Sequence, residues 1–208
     1  MNSFYEQPEQ SEYYQKEDYT ALLQALEECK SVRGLGCEVG VREGHGSYLM
    51  MKHGPPNRVH VCVDPYGNIE YKSWEVRSDR LNEYNDAMFY ATMQHLYAAA
   101  EQLQRHLIFF PLEDTEFQTR FGSGVPVYTR NEKRVLGTYA IVHIDGPHTT
   151  AAVLHETKFF MDRMERGGCL VYDDIQQYDH GAVDACLLAA GFLPIHRTQK
   201  KAAYCRKQ

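Results

Sequence analysis

Two short segments carry residues that could act together: Asp145 and His148 in Ile144-Asp145-Gly146-Pro147-His148, and Asp173 and Asp174 in Tyr172-Asp173-Asp174-Ile175. Each follows an apolar run and reads as the exit from a buried strand. If those strands are parallel neighbours, roughly 4.8 Å apart, the loops leaving their carboxyl ends share one crevice. Three carboxylates that close repel one another unless a cation lies among them. All-oxygen donors suit a hard divalent ion such as Mg²⁺, with Asp145, Asp173 and Asp174 as its ligands. Such an ion would orient a substrate hydroxyl and lower its pKa, and His148 would remove the proton. A plainer reading of the same residues makes Asp145 and Asp174 helix caps and His148 a solvated loop residue.

A second constellation lies upstream. The stretch Glu38-Val39-Gly40-Val41-Arg42-Glu43-Gly44-His45-Gly46-Ser47 is a glycine-rich turn from strand to helix. Gly40 and Gly44 would let the backbone approach a ligand, and the helix N-terminus at Ser47 would offer N–H groups to it. The same glycines would also serve a tight turn and nothing more. Asp64 closes the next strand, where a carboxylate can accept hydrogen bonds from ribose hydroxyls or start a turn before Pro65. A dinucleotide dehydrogenase fits less well. The glycine spacing is G-x-x-x-G-x-G rather than G-x-G-x-x-G, and 208 residues leave no separate substrate domain.

These loops require an alternating β/α frame, and the hydrophobic pattern supplies one. Residues 19–30 carry Leu22, Leu23 and Leu26 at helical spacing, residues 37–41 form a first strand, 47–52 a helix and 58–63 a second strand. Residues 73–104 read as mainly helical and rich in aromatics, either core or a lid. Strands follow at 107–111, 138–144 and 169–172, with a helix at 151–164. A helix from about Gly181 stops at Gly191, and 192–198 with 202–206 pair as a closing antiparallel hairpin across 199–201. Residues 121–136 suggest an inserted hairpin around Asn131. Among the other histidines, His143, His155 and His196 read as structural and His45 as lining the glycine loop. His180, Gln176, Gln177 and Tyr178 are either acceptor contacts or plain polar surface.

Composition narrows the function classes. The chain has 43% hydrophobic and 24% charged residues, as expected of one globular domain, and its longest apolar runs fall short of the roughly 20 residues that cross a bilayer. With 28 acidic against 22 basic residues it lacks the positive surface that nucleic acid requires, so neither nucleic acid nor membrane is an expected partner. Residues 1–18 read as an acidic polar tail without the features of a signal peptide, and residues 19–208 as one domain in a cytoplasmic protein. The six scattered cysteines, with no C-x-x-C pair, read as small buried hydrophobes.

Taken together, E-V-G-V-x-x-G-x-G-S, V-D-P-Y-G, I-D-G-P-H-T-T-A-A-V and G-G-C-L-V-Y-D-D-I resemble the class I methyltransferases that use S-adenosylmethionine (SAM). More narrowly, they are similar to the macrocin-type, metal-dependent O-methyltransferase branch. The resemblance spans residues 36–191 and implies a Rossmann-like three-layer sandwich whose mostly parallel seven-stranded sheet ends in an antiparallel strand. It implies that Glu38 and Gly40 face the methionine half of SAM, with Gly44 and Ser47 completing the loop, and that Asp64 holds the ribose. Glu113 and Asp114 would meet the adenine, although the family's usual glycine before that polar pair is missing from Pro111-Leu112-Glu113-Asp114. Asp145, Asp173 and Asp174 match the metal ligands, Asp145 also bordering the cofactor, and His148 matches the base. The expected activity is Mg²⁺-dependent methylation of a hydroxyl on a small molecule such as a sugar or secondary metabolite. A metal-independent N- or O-methyltransferase and a non-catalytic SAM-binding module are the alternatives, and a homo-oligomer is compatible with either.

Overall fold

The computed structural model describes residues 3–68, 84–128 and 132–207. Along the chain, α1 (Ser3–Glu6), α2 (Glu12–Glu17) and α3 (Thr20–Glu28) precede β1 (Leu35–Val39). Then come α4 (His45–His53), β2 (His60–Val63), α5 (Asp86–Leu103), β3 (Leu107–Phe110) and α6 (Asp114–Phe121). A small hairpin, β4 (Val125–Tyr128) and β5 (Lys133–Leu136), leads into β6 (Tyr139–Ile144) and α7 (Thr150–Met161). The chain closes with β7 (Met164–Tyr172), α8 (His180–Ala189), β8 (Phe192–Arg197) and β9 (Ala202–Arg206).

Seven strands form one sheet in the order β3-β2-β1-β6-β7-β9-β8. The first five run parallel, and β9 inserts antiparallel between β7 and β8. This is the Rossmann-like, mostly parallel seven-stranded sheet with an antiparallel last strand expected from the sequence. Its central strands β1, β2 and β6 are buried on both faces, as a parallel sheet covered by helices must be. Alternate residues serve opposite layers. Val61, Val63, Leu170 and Tyr172 pack with Phe117, Val153, Phe160 and Leu187, on the side of α6, α7 and α8. Cys62, Cys169 and Val171 pack with Leu22, Leu26, Leu49 and Leu96, on the side of α3, α4 and α5. The strand order reverses between β1 and β6, and the crevice opens there.

Several boundaries moved for identifiable reasons. The first strand ends at Val39 rather than at 41, because the Asp64 carboxylate takes the N–H groups of Val41 and Arg42 out of the ladder. The helix expected through residue 164 stops at Met161, since the Arg163 carbonyl accepts the N–H of Tyr139 and begins the β6–β7 pairing. Helix α6 was not anticipated. The inserted hairpin is present, with β4 and β5 antiparallel, while its expected tip at Asn131 lies outside the described residues, as does the 73–83 part of the aromatic helix. The N-terminal segment folds onto the domain. The Tyr48 hydroxyl donates to the carbonyl of Tyr5 (2.8 Å), and the Tyr13 ring lies 4.3 Å from that of His45. All six cysteines are free, four of them buried. No helix among the described residues is long and apolar enough to cross a membrane.

His60 is fully enclosed beneath the glycine loop, its Nε2 2.8 Å from Ser47 Oγ, and burial pushes its pKa down to about 4. An unfolded histidine takes a proton near 6.5. Between pH 6.5 and 4 the unfolded chain therefore binds this extra proton, and the His60 contribution to stability is lost as pH falls. Thermal denaturation of wild type and His60→Gln at pH 7 and pH 5 should show wild type losing ground to the variant at the lower pH. A difference in Tm that does not change with pH would contradict this.

Candidate active site

The crevice is built by contacts that hold the exits of β1, β2, β6 and β7 together. Gly40 sits at φ +82°, and a Cβ there would lie 2.0 Å from the Asp145 carbonyl oxygen, so only glycine lets the β1 and β6 exits touch. Asp64 at the end of β2 clamps the same loop. Its Oδ2 accepts the N–H groups of Val41 (2.7 Å) and Arg42 (3.0 Å), and its Oδ1 accepts that of Tyr66 (2.8 Å). A carboxylate has about four lone-pair sites, so roughly one remains for a ligand.

Beneath the loop lies a buried polar chain. Glu38 Oε1 is 2.8 Å from His143 Nδ1, Glu38 Oε2 accepts the Ser47 hydroxyl, and Ser47 continues to His60. Gly46 makes room for it, since a Cβ there would lie 1.9 Å from Glu38 Oε1. Ser47 is fully buried and does not reach the cavity wall; it fixes Glu38, which does. Gly44 caps α4 at φ +80° against Leu96, also behind the wall.

At the next two strand ends, His148 Nε2 lies 3.6 Å from Asp145 Oδ1 and the His148 ring stacks on Tyr178. Burial and the neighbouring Asp173 carboxylate push Asp145 up to about 6. Burial alone would lower His148, but the Asp145 carboxylate, with Asp174 and Asp173 behind it, raises it above its ordinary value. Asp173 Oδ1 accepts the N–H of Asp174 (2.7 Å), and its Oδ2 is ion-paired with Lys201 Nζ. Burial works against the charged form of Asp173, yet Lys201 holds it well below the usual carboxylate range. Lys201, read from the sequence as a hairpin-turn residue, is 0% exposed.

All these exits face one cavity of about 570 Å³, within the range of small-molecule sites. Asp64, Glu113 and Asp114 border one side, and Glu38, Asp145, His148, Asp173 and Asp174 the other; Tyr13, Glu17 and Tyr19 contribute from the N-terminal helices and the link between them. Gln176 and Gln177 reach the wall. His180 does not; it is buried with its Nε2 2.9 Å from the Tyr204 hydroxyl. Nine carboxylates line this space against three Lys or Arg side chains. That balance disfavours a phosphate-bearing ligand and favours a cationic one.

Residues 37–175 match the family model described as "Methyltransferase domain". The chain belongs to this methyltransferase family. Solved methyltransferases share its fold. The O-methyltransferase NovP superposes with a TM-score of 0.55 at 15% identity, over 90% of this chain and 78% of that one. The calicheamicin methyltransferase CalS11 gives 0.54 at 12% identity, over 98% and 88%. An O-methyltransferase family protein from Burkholderia thailandensis gives 0.53 at 10% identity, over 91% and 56%. No curated protein matches the sequence.

For a SAM-dependent methyltransferase the donor set of the cavity fits the cofactor. SAM carries a sulfonium, an ammonium and a carboxylate, and the carboxylates at the ends of β1, β2 and β3 suit its positive groups and its ribose and adenine donors. The expected Mg²⁺ site fits less well. Asp145, Asp173 and Asp174 all border the cavity, but Asp173 is engaged by Lys201, and Asp174 Oδ1 accepts from the Gln176 amide (3.1 Å). Among the described residues, the one group of three donors within 4.8 Å is Glu38, His143 and Asp145. There Glu38 and His143 already bond each other. The acidic trio read from the sequence is thus not a group whose ligand atoms lie within 4.8 Å of one another.

In this methyltransferase Asp64→Asn would replace one accepting oxygen by a donor and leave a buried N–H without a partner, at a cost of about 1–3 kcal/mol. Calorimetric titration with S-adenosylhomocysteine should show affinity reduced by at least about tenfold. Unchanged affinity would remove Asp64 from the cofactor site.

Proposed function

We propose that this methyltransferase transfers the methyl group of SAM to a hydroxyl of a small acceptor, with His148 as the proton acceptor. The observation that carries this reading is the buried His148, beside Tyr178 and 3.6 Å from the half-buried Asp145, at the acidic end of the cavity. When bound, the cofactor supplies a methyl carbon activated by a positively charged sulfur. Glu38, held by His143 and Ser47, would receive its ammonium, and Asp64 and Asp114 its nucleoside. His148 accepts the proton that leaves the acceptor oxygen, and the Asp145 carboxylate orients the ring and stabilises the imidazolium that results. Tyr13 and Glu17, reaching over from the N-terminal helix, exclude water from that end.

The acceptor class follows from the same features. A cavity of this size with an acidic floor and aromatic cover suits a neutral, hydroxyl-bearing molecule, a sugar or secondary metabolite, better than an anionic one. The likeness to an O-methyltransferase and to a calicheamicin methyltransferase agrees with that choice. A panel of glycosides and phenols incubated with methyl-labelled SAM should reveal an acceptor. On that acceptor, His148→Ala should lower kcat by about 10²–10⁴. Its affinity for S-adenosylhomocysteine should stay within about threefold of wild type. A variant that retains kcat would contradict the role of His148.

A further inference from the structure

We propose that the Lys201 ammonium is the resident counter-cation of the acidic strand ends and closes them to a divalent metal ion. The sheet topology places it there. In the antiparallel pairing of β7 with β9, Tyr172 lies opposite Ala202, and one further step in that register sets Lys201 opposite Asp173. A lysine in a hairpin turn normally carries its ammonium outward to water. Here the side chain turns inward and is 0% exposed, its Nζ paired with Asp173 and 4.9 Å from the centre of the Tyr19 ring.

The backbone holds this arrangement from both sides. The Lys201 N–H donates to Thr198 Oγ1 (2.9 Å), the Lys201 carbonyl accepts from the Thr198 N–H (2.8 Å), and the Lys200 carbonyl accepts from the Ile175 N–H (2.9 Å). Lys200 adds an ion pair with Glu17 (3.0 Å), tying the hairpin to α2. The turn cannot swing away without breaking these bonds.

A divalent ion on Asp145, Asp173 and Asp174 would meet a fixed positive charge at Asp173. To bind, it would have to displace Lys201 and leave a buried ammonium unpaired, which is strongly unfavourable. The ammonium thus supplies the cation that neighbouring carboxylates require, and Asp145 remains available to His148. Lys201 acts through Asp173 and is a positioning residue. The proposal rests on the reading above only for what the site does, because metal binding is measured without turnover.

The test is titration of the protein, saturated with S-adenosylhomocysteine, with Mn²⁺ followed by electron paramagnetic resonance. Wild type should bind no stoichiometric Mn²⁺. Lys201→Met, shown to be folded by circular dichroism, should bind one Mn²⁺ per chain, and Asp173→Asn added to it should abolish that binding. One Mn²⁺ per chain in wild type, lost in Asp173→Asn, would overturn the proposal, as would a folded Lys201→Met that binds none. If Lys201→Met does not fold, the wild-type titration still decides. Loss of methyl transfer in the His148 variant bears on the catalytic reading and leaves this result untouched.

Discussion

Carboxylates crowded at the ends of parallel strands need positive charge, and much of this structure follows from that requirement. Glu38, Asp64, Asp145 and Asp173 leave four adjacent strands and face one cavity, where low dielectric strengthens their mutual repulsion. The fold answers in two ways. Asp64 is hydrogen-bonded by three backbone N–H groups and Asp173 is ion-paired with the ammonium of Lys201, so neither is left bare. The remaining negative potential is open to the cavity, where a cationic ligand would balance it.

The same groups also hold the site together. Asp64 draws the β1 exit over the β2 exit, the missing Cβ at Gly40 lets the β6 exit close against it, and Lys201 fastens β9 to the β7 exit. Binding and architecture are therefore not separable here. A substitution that removes a charge also releases a loop. The N-terminal helices extend the arrangement, since Tyr13 covers His45 at the α4 N-terminus and Glu17 reaches Lys200 in the closing hairpin.

Most of the frame was legible in the sequence because buried parallel strands are short β-branched runs bounded by Gly and Asp, and those signals are local. The exits at Asp64, Asp145 and Asp173 could be read for the same reason, and all three border the cavity. Roles that depend on long-range register could not be. Lys201 lies in a polar Gln-Lys-Lys turn that by itself says nothing of burial; only the pairing of Tyr172 with Ala202 shows that it opposes Asp173. That alignment was within reach once the antiparallel last strand was expected, and it would have placed a lysine beside the acidic strand ends. Ser47 misled in a similar way. A serine in a helix's first turn commonly meets the ligand, but here it turns inward to Glu38, whose buried carboxylate needs a second donor besides His143. The polar N-terminal segment looked like a tail because its apolar contribution is made by tyrosines, which carry little hydropathy and much contact area.

The claim on which the rest depends is that the cavity's excess of carboxylate selects a cationic, phosphate-free cofactor. Isothermal titration of the full chain with SAM and, separately, with NADPH tests it directly. The account predicts one SAM per chain, with a dissociation constant on the order of micromolar, and no measurable heat with NADPH. Binding of NADPH, or no binding of SAM by folded protein, would contradict it.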